Sequence, residues 1–141
     1  MSLISAVRTY LATYSGLTTG APLWVDHLGQ VPTEYGISPL AGARIVETNI
    51  DGSTVREFPF AFSSTESTAD NLERLDNIGF YETFADWLEN QSNAGTLPTL
   101  ASGKTATKIE ALGWAYLYQE GESSTGIYQI QCKLTYEQTA P

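Results

Sequence analysis

The sequence is poor in cysteine and in positive charge, and each shortage excludes a class of protein. A single cysteine, Cys132, occurs in 141 residues. It excludes an internal disulfide framework and any multi-cysteine zinc or iron–sulfur site. Seven Lys and Arg stand against 16 Asp and Glu, which gives a formal net charge of −9. Such a balance argues against a protein that grips nucleic acid or an anionic membrane over its whole surface.

A secretory leader and a membrane span are also missing from the sequence. Residues 1–8 lack the charged start and long apolar run of a signal peptide. No stretch approaches the ~18 apolar residues that cross a bilayer. We therefore expect a soluble intracellular protein that does not contact a membrane.

What the sequence does contain is enough apolar residues for one core. Hydrophobic residues make up 42% of the chain and aromatic residues 11%. A chain of this length fits a single domain, so residues 1–141 are predicted to form one.

The first third of the chain predicts one helix and a long loop. Apolar residues over 2–15 recur at helical spacing, with Ser2 as N-cap and Gly16 at the C-terminal end. Residues 17–42 are rich in Gly, Pro and Thr and are predicted as loop, apart from a short strand at 23–25. A loop this long indicates a functional or partner-contacting segment.

A β-hairpin is predicted around Asp51-Gly52, a strong hairpin signal, with strands at 43–50 and 54–62. One face of the second strand carries Phe58, Phe60 and Phe62. Pro59 cannot donate a backbone hydrogen bond, so this strand is predicted to lie at a sheet edge or to carry a bulge there.

A helical stretch follows and is predicted to divide at Gly79 into helices at 67–78 and 80–92. Each piece has an apolar stripe at helical spacing. The first stripe is Leu72, Leu75 and Ile78, and the second is Phe80, Phe84, Trp87 and Leu88. Acidic residues occupy the rest of the surface, as expected of a solvated helix face or of a face that meets a basic partner.

A second hairpin is predicted from strands at 106–118 and 126–137. The last strand alternates one buried and one polar face. Its apolar side is Tyr128, Ile130, Cys132, Leu134 and Tyr136. In its partner strand, one side carries Leu112, Trp114, Tyr116 and Tyr118. The element order therefore predicts an α+β fold, an antiparallel sheet of about four strands made of two hairpins, with helices packed on one face.

No motif of catalysis, phosphate binding or metal binding is present, and neither a metal nor a cofactor is expected. The one histidine, His27, follows Asp26 in the first loop. A catalytic role for this pair is much less expected than a surface or interface role, because adjacent residues rarely orient each other for catalysis. Cys132 is expected to be buried and inert. The candidate partner or ring contacts are Trp24, His27, Tyr35 and Pro59.

Parts of the sequence resemble a known family. The run Gly79–Gln91, followed by Gly95-Thr96-Leu97-Pro98, is similar to small prophage proteins of Gram-positive bacteria, and so are Tyr128–Tyr136 and Phe58–Ser63. Those proteins are usually labelled minor capsid proteins and resemble the tail terminators of long-tailed phages. The matching stretches cover roughly the C-terminal two-thirds of the chain, and none is a catalytic motif.

The resemblance implies a structural role in virion assembly without enzymatic activity. It implies a tail-terminator-like fold and a homo-oligomeric ring that ends the tail tube and joins it to the head. The partners would be further copies of the chain, tail-tube proteins and head–tail connector proteins. DNA would pass through the ring without tight binding, which suits a net charge of −9. The protein would belong to the virion and, during assembly, to the host bacterial cytoplasm.

Two other classes stay open at this point. One is a small-ligand-binding α+β module or enzyme, with an apolar pocket near Trp87, Trp114 and Tyr116. The other is an unrelated protein-interaction adaptor. A filled interior would weigh against the first, and gene neighbours unrelated to portal, capsid or tail tube would favour the second.

Overall fold

The computed structural model describes residues 2–29, 33–42, 44–121 and 124–141, and these form one mixed sheet and two helices. In chain order the elements are α1 (Leu3–Leu11), β1 (Leu23–Val25), β2 (Glu34–Pro39), β3 (Ile45–Thr48), β4 (Thr54–Ser67), α2 (Asn71–Ala94), β5 (Lys104–Ala111), β6 (Tyr116–Glu120) and β7 (Thr125–Gln138). The strand order is β1-β2-β4-β7-β5. Strand β3 pairs with β4, and β6 pairs with β7.

The centre of the sheet is the antiparallel pair β4 and β7, which are 14 residues each. Their register runs without interruption from Thr54 opposite Gln138 to Ser67 opposite Thr125. On its other side β4 pairs first with β3 and then with β2, while β7 pairs first with β6 and then with β5. Strand β1 runs parallel to β2, and this pair makes the sheet mixed.

The predicted fold class was wrong. The chain is mostly β, with seven strands in one mixed sheet, whereas an α+β fold with about four antiparallel strands and a tail-terminator-like arrangement was expected. Two errors account for the difference. Residues 17–42 contain β1 and β2, of which only the first was predicted, and the single strand predicted at 106–118 is two strands, β5 and β6.

The core lies between one face of the central strands and the apolar sides of the two helices. The alternation predicted for β7 is confirmed, because its five apolar side chains are buried. Phe62 of β4 stacks on Phe84 of α2 with ring centroids 4.5 Å apart. Within the described part of the chain, every buried side-chain nitrogen or oxygen has a hydrogen-bond partner, as expected of a well-packed interior.

The helix predictions were correct in place but wrong in extent. Ser2 caps α1 as expected, accepting a hydrogen bond from the Ser5 backbone N–H, but α1 ends at Leu11 and not at Gly16. Helix α2 is continuous through Gly79, because one interior glycine costs a helix only about 1 kcal/mol. It begins at an Asp70 cap and ends at Gly95, whose φ of +76° is the left-handed conformation that glycine adopts readily.

Pro59 lies in a central strand, so the prediction of an edge strand or bulge was wrong. The β4–β7 register has no bulge at Pro59, which is opposite Lys133. Its carbonyl accepts a hydrogen bond from the Leu40 backbone N–H, on the side of β4 where β2 has ended and β3 has not yet begun. The missing N–H therefore faces a gap between two partner strands, where no ladder bond is lost. The predicted hairpin at Asp51-Gly52 is present, with Gly52 at a φ of +90°.

Candidate contact surface

The segment from Leu112 to Tyr118 carries the most exposed aromatic side chains of the fold. Residues 112–115 leave the sheet between β5 and β6, and the chain then rejoins β7 at Tyr116. Trp114 is 79% exposed and Tyr118 is 58% exposed. The Tyr116 hydroxyl accepts a hydrogen bond of 3.0 Å from the Gln129 amide, which places its ring on the polar face of β7. These side chains are in water, although their alternation resembles that of a buried strand.

Trp114 lies at the end of a groove between α2 and the strand β5. The groove encloses about 530 Å³. Its lining residues are Glu82, Ala85, Asp86, Glu89, Ser92, Asn93, Lys108, Ile109, Glu110, Ala111, Leu112, Gly113 and Trp114. Ser92 fixes the helix against the strand, because its hydroxyl donates to the Ile109 carbonyl at 2.6 Å and accepts from the Ile109 N–H at 2.8 Å. These two hydrogen bonds hold α2 against β5 at the base of the groove.

The helix wall of the groove is negatively charged. Glu82, Asp86 and Glu89 are exposed, and none has a salt-bridge partner among the residues that the structure describes. On the strand wall, Lys108 is 2.7 Å from Glu110 and is thus already paired. The unpaired carboxylates leave a negative potential beside an exposed indole ring.

The first half of α2 presents an unpartnered apolar stripe. Leu72 is 67% exposed and Leu75 is 60% exposed, and Ile78 is also exposed. The helix packs through Tyr81, Phe84 and Leu88 of its second half, whereas Glu73 and Asn77 face the polar end of β4 and bond to Ser67.

The edge strands of the sheet are poorly suited to pairing with further strands. Strand β1 has three residues, and β3, β5 and β6 each carry an irregular register of the kind a β-bulge produces. Bulges and short strands are the devices by which proteins prevent edge-to-edge association. Contacts of this protein with partners are therefore expected to use side chains and not added strands.

The four predicted contact residues do not form one surface. Trp24 and His27 come together, with ring centroids 5.3 Å apart, and the Trp24 indole N–H donates to Glu34 at 3.0 Å. Both rings are exposed. Tyr35 is buried between Phe62 and Phe80, and Pro59 is half-buried in β4. The exposed pair Trp24 and His27 is thus separate from the groove around Trp114.

Of the three residues expected near a ligand pocket, only Trp114 lines the groove. Trp87 is partly buried and packs against Tyr10 and Tyr14 of the core, and Tyr116 lies on the sheet face. The sequence pattern did not indicate that the carboxylates of Glu82, Asp86 and Glu89 lie across the groove from Trp114. Gly113 was the available signal, because a glycine within a strand pattern often marks a break in the strand.

The other side chains that could take part in chemistry, Cys132, Tyr81 and Glu66, are buried. The Cys132 thiol is fully buried in β7, and burial raises its pKa well above the ordinary value, so the thiol stays protonated and unreactive. The Tyr81 hydroxyl bonds to Ser64 at 2.6 Å inside the core, and burial raises the pKa of Tyr81 well above its usual range. Burial also raises the pKa of the Glu66 carboxyl, which accepts a hydrogen bond from Thr33.

The described residues offer neither a metal site nor a membrane-spanning helix. The residues with described positions contain no group of three or more His, Cys, Asp or Glu placed to hold a metal ion. In the same part of the chain, neither helix combines the length and apolar content that crossing a bilayer requires. Comparisons of the sequence with known protein families and with curated proteins gave no match.

Proposed function

We propose that this protein is a non-enzymatic subunit of a phage virion, a tail terminator or head–tail joining subunit that forms a ring with copies of itself at the end of the tail tube. The proposal takes its identity from the sequence resemblance of residues 79–91, 95–98, 128–136 and 58–63 to minor capsid proteins. The fold does not contribute to this identification.

The observation that carries the binding role is the amount of apolar surface left in water. Large exposed hydrophobic side chains occur on β1, β3, the first half of α2 and the segment from Leu112 to Tyr118. Single exposed apolar residues are ordinary, but clusters of them on one small domain are typical of protein contact surfaces. A subunit that assembles on a larger particle covers such surfaces once it is in place.

The contact with neighbouring copies is assigned to the side of the molecule that carries Trp24 and His27. The two exposed rings contact each other and are held by the Trp24–Glu34 hydrogen bond. A Trp that is ordered before binding loses little conformational entropy on association, which is why such residues are frequent hot spots. Trp24→Ala should therefore weaken ring formation while leaving the core intact.

The test uses tail tubes purified from the phage that encodes this chain. Tubes are incubated with the protein, separated from free subunits by sedimentation, and examined by electron microscopy, with light scattering of the free protein over a range of concentrations. We expect a ring at tube ends, even if the free protein is a monomer. Folded protein that forms no ring in solution and never binds tube ends would contradict the proposal.

A matched pair of variants separates assembly from folding. Trp24→Ala should reduce end binding at least about tenfold, whereas Ile50→Ala removes an exposed apolar side chain from the turn between β3 and β4, outside the surfaces named above, and should not change ring formation. Both should unfold within about 0.5 kcal/mol of the wild type. Equal loss of end binding in both variants would show that Trp24 is not a specific ring contact.

A further inference from the structure

One surface of the molecule combines an apolar half with an acidic half. Along α2, the residues Leu72, Leu75, Ile78, Glu82, Asp86 and Glu89 are spaced so that they follow one side of the helix. All are exposed. The stripe from Leu72 to Glu89 is ~26 Å long at the rise of an α-helix. Trp114 and Leu112 flank its acidic end across the groove. We call this the α2 surface.

We infer that the α2 surface is a docking site for a cationic amphipathic segment of a different protein. The apolar part of the segment would cover Leu72, Leu75 and Ile78. Its Lys or Arg side chains would enter the groove between Trp114 and the carboxylates of Glu82, Asp86 and Glu89. The inference rests on the proposed function in one respect, which is that the chain acts by binding other proteins. The partner that it assigns is not a second copy of the chain.

Charge complementarity identifies the class of partner. The three carboxylates have no ion-pair partner within the described residues, so they offer their full charge to an incoming cation. The exposed ring of Trp114 adds a second feature that favours cations, since Lys and Arg bind well over an indole face. Arg is the better fit, because its planar group can stack on the ring and bond a carboxylate at the same time.

A second copy of this chain does not supply such a segment. Its cationic residues are Arg8, Arg44, Arg56, Arg74, Lys104, Lys108 and Lys133. They are scattered, and the closest pair, Lys104 and Lys108, lies on β5, where Lys108 already pairs with Glu110. Each copy also carries a net charge of −9, so the acidic half of the surface repels further copies. Nucleic acid is excluded by the same sign of charge.

A small apolar ligand fits the groove less well than an extended segment. The groove is open to solvent, and no unsatisfied buried polar group within the described structure points into it, whereas small-molecule sites enclose most of their ligand. The apolar stripe, moreover, continues along α2 beyond the residues that line the groove. A long partner segment covers both parts.

The test measures binding of a synthetic peptide to the intact protein by fluorescence anisotropy. The probe is a labelled helical peptide in which one side carries leucines over one half of the length and arginines over the other half. One control peptide replaces each arginine with glutamine, and another has the same composition in scrambled order. We expect saturable binding of the probe and not of the control peptides. The affinity for the probe should fall at least about tenfold when salt is raised from about 0.05 to 0.5 M.

Two variants with the same change in net charge make the result specific. Glu82→Gln with Asp86→Asn and Glu89→Gln removes the acidic wall and should weaken binding at least about tenfold. Asp26→Asn with Glu47→Gln and Glu137→Gln removes three exposed carboxylates outside the groove and should change it less than about twofold. Trp114→Ala should also weaken binding about tenfold, with the fold of each variant checked by circular dichroism.

The outcomes decide the inference independently of the ring. No binding of the probe, equal binding of the scrambled peptide, or equal weakening by both triple variants would overturn the docking site. If rings still form on tail tubes in those cases, the proposed function stands alone. If the probe binds as expected but no ring forms, the docking site stands and the proposed function fails.

Discussion

Strand β7 and the segment from Leu112 to Tyr118 have the same alternating pattern but opposite environments. The apolar side chains of β7 are buried, because β7 has β4 on one side and β5 and β6 on the other, and these side chains belong to the same core cluster as the buried residues of the two helices. The segment around Trp114 joins the sheet only through the pairing of β6 with β7, and its large apolar side chains stay exposed among the residues that the structure describes. Periodicity therefore indicates which side chains share a face, whereas the position of a strand in the sheet determines whether that face is buried.

The largest difference in unfolding free energy is expected between a leucine of β7 and a leucine of the segment from Leu112 to Tyr118. Leu134→Ala in β7 removes a fully buried side chain and should lower the free energy of unfolding by about 2–5 kcal/mol. Leu112→Ala should change it by less than about 0.5 kcal/mol, since Leu112 is half exposed at the groove. Urea unfolding of both variants measures the difference. Similar losses for the two would mean that Leu112 belongs to the core.

Trp87 within α2 and Trp114 across the groove from α2 provide a second, smaller contrast. Trp87 packs on Tyr14 with ring centroids 4.9 Å apart, so Trp87→Ala should cost on the order of 3 kcal/mol. Trp114→Ala should cost less than about 0.5 kcal/mol. Thermal unfolding followed by circular dichroism is the measurement. An unchanged melting temperature for Trp87→Ala would show that its ring does not contribute to the core.

A third change tests the continuity of α2. A Cβ added at Gly79 meets no atom within 4 Å, and the residue has no positive φ. Gly79→Ala should therefore raise the free energy of unfolding by about 0.5–1 kcal/mol. A loss of stability in urea unfolding would indicate that α2 bends or divides at Gly79, as the sequence pattern had predicted.

The smallest effect is expected on the exposed apolar stripe. Leu72→Ser together with Leu75→Ser alters two side chains that are more than half exposed, and the free energy of unfolding should change by less than about 1 kcal/mol. Solubility of the free protein should rise, because an apolar patch is removed. A loss of several kcal/mol would show that the first half of α2 packs against the body of the protein.

The local sequence pattern was sufficient to predict elements that depend mainly on neighbouring residues, such as turns, helix caps and a strand with one apolar side. The alternation of β7, the Asp51-Gly52 turn and the Ser2 cap were all predicted correctly. Strand β2 was missed because its residues, Glu34 to Pro39, include Gly and Pro, which favour loop. The structure supplies the reason for the glycine: a Cβ at Gly36 would lie 2.5 Å from the His27 carbonyl oxygen.

The candidate contact surface could be predicted only in part, because it depends on which elements pack together across long distances in the sequence. The sequence indicated that α2 carries acidic residues and that Trp114 shares a side with Leu112, Tyr116 and Tyr118. It could not place Trp114 beside Glu82 and Asp86, since that proximity follows from how α2 packs against β5. Conversely, Tyr35 was a candidate contact but is buried between two phenylalanines.

The proposed docking site depends most on the exposed segment around Trp114. Hydroxyl-radical labelling with mass spectrometry tests this by comparing the oxidation rates of Trp114 and Trp87 in the free protein and in the protein bound to the cationic peptide. We predict that Trp114 oxidises much faster than Trp87 in the free protein and becomes protected on binding. Protection of Trp114 in the free protein, or an unchanged rate in the complex, would contradict the account.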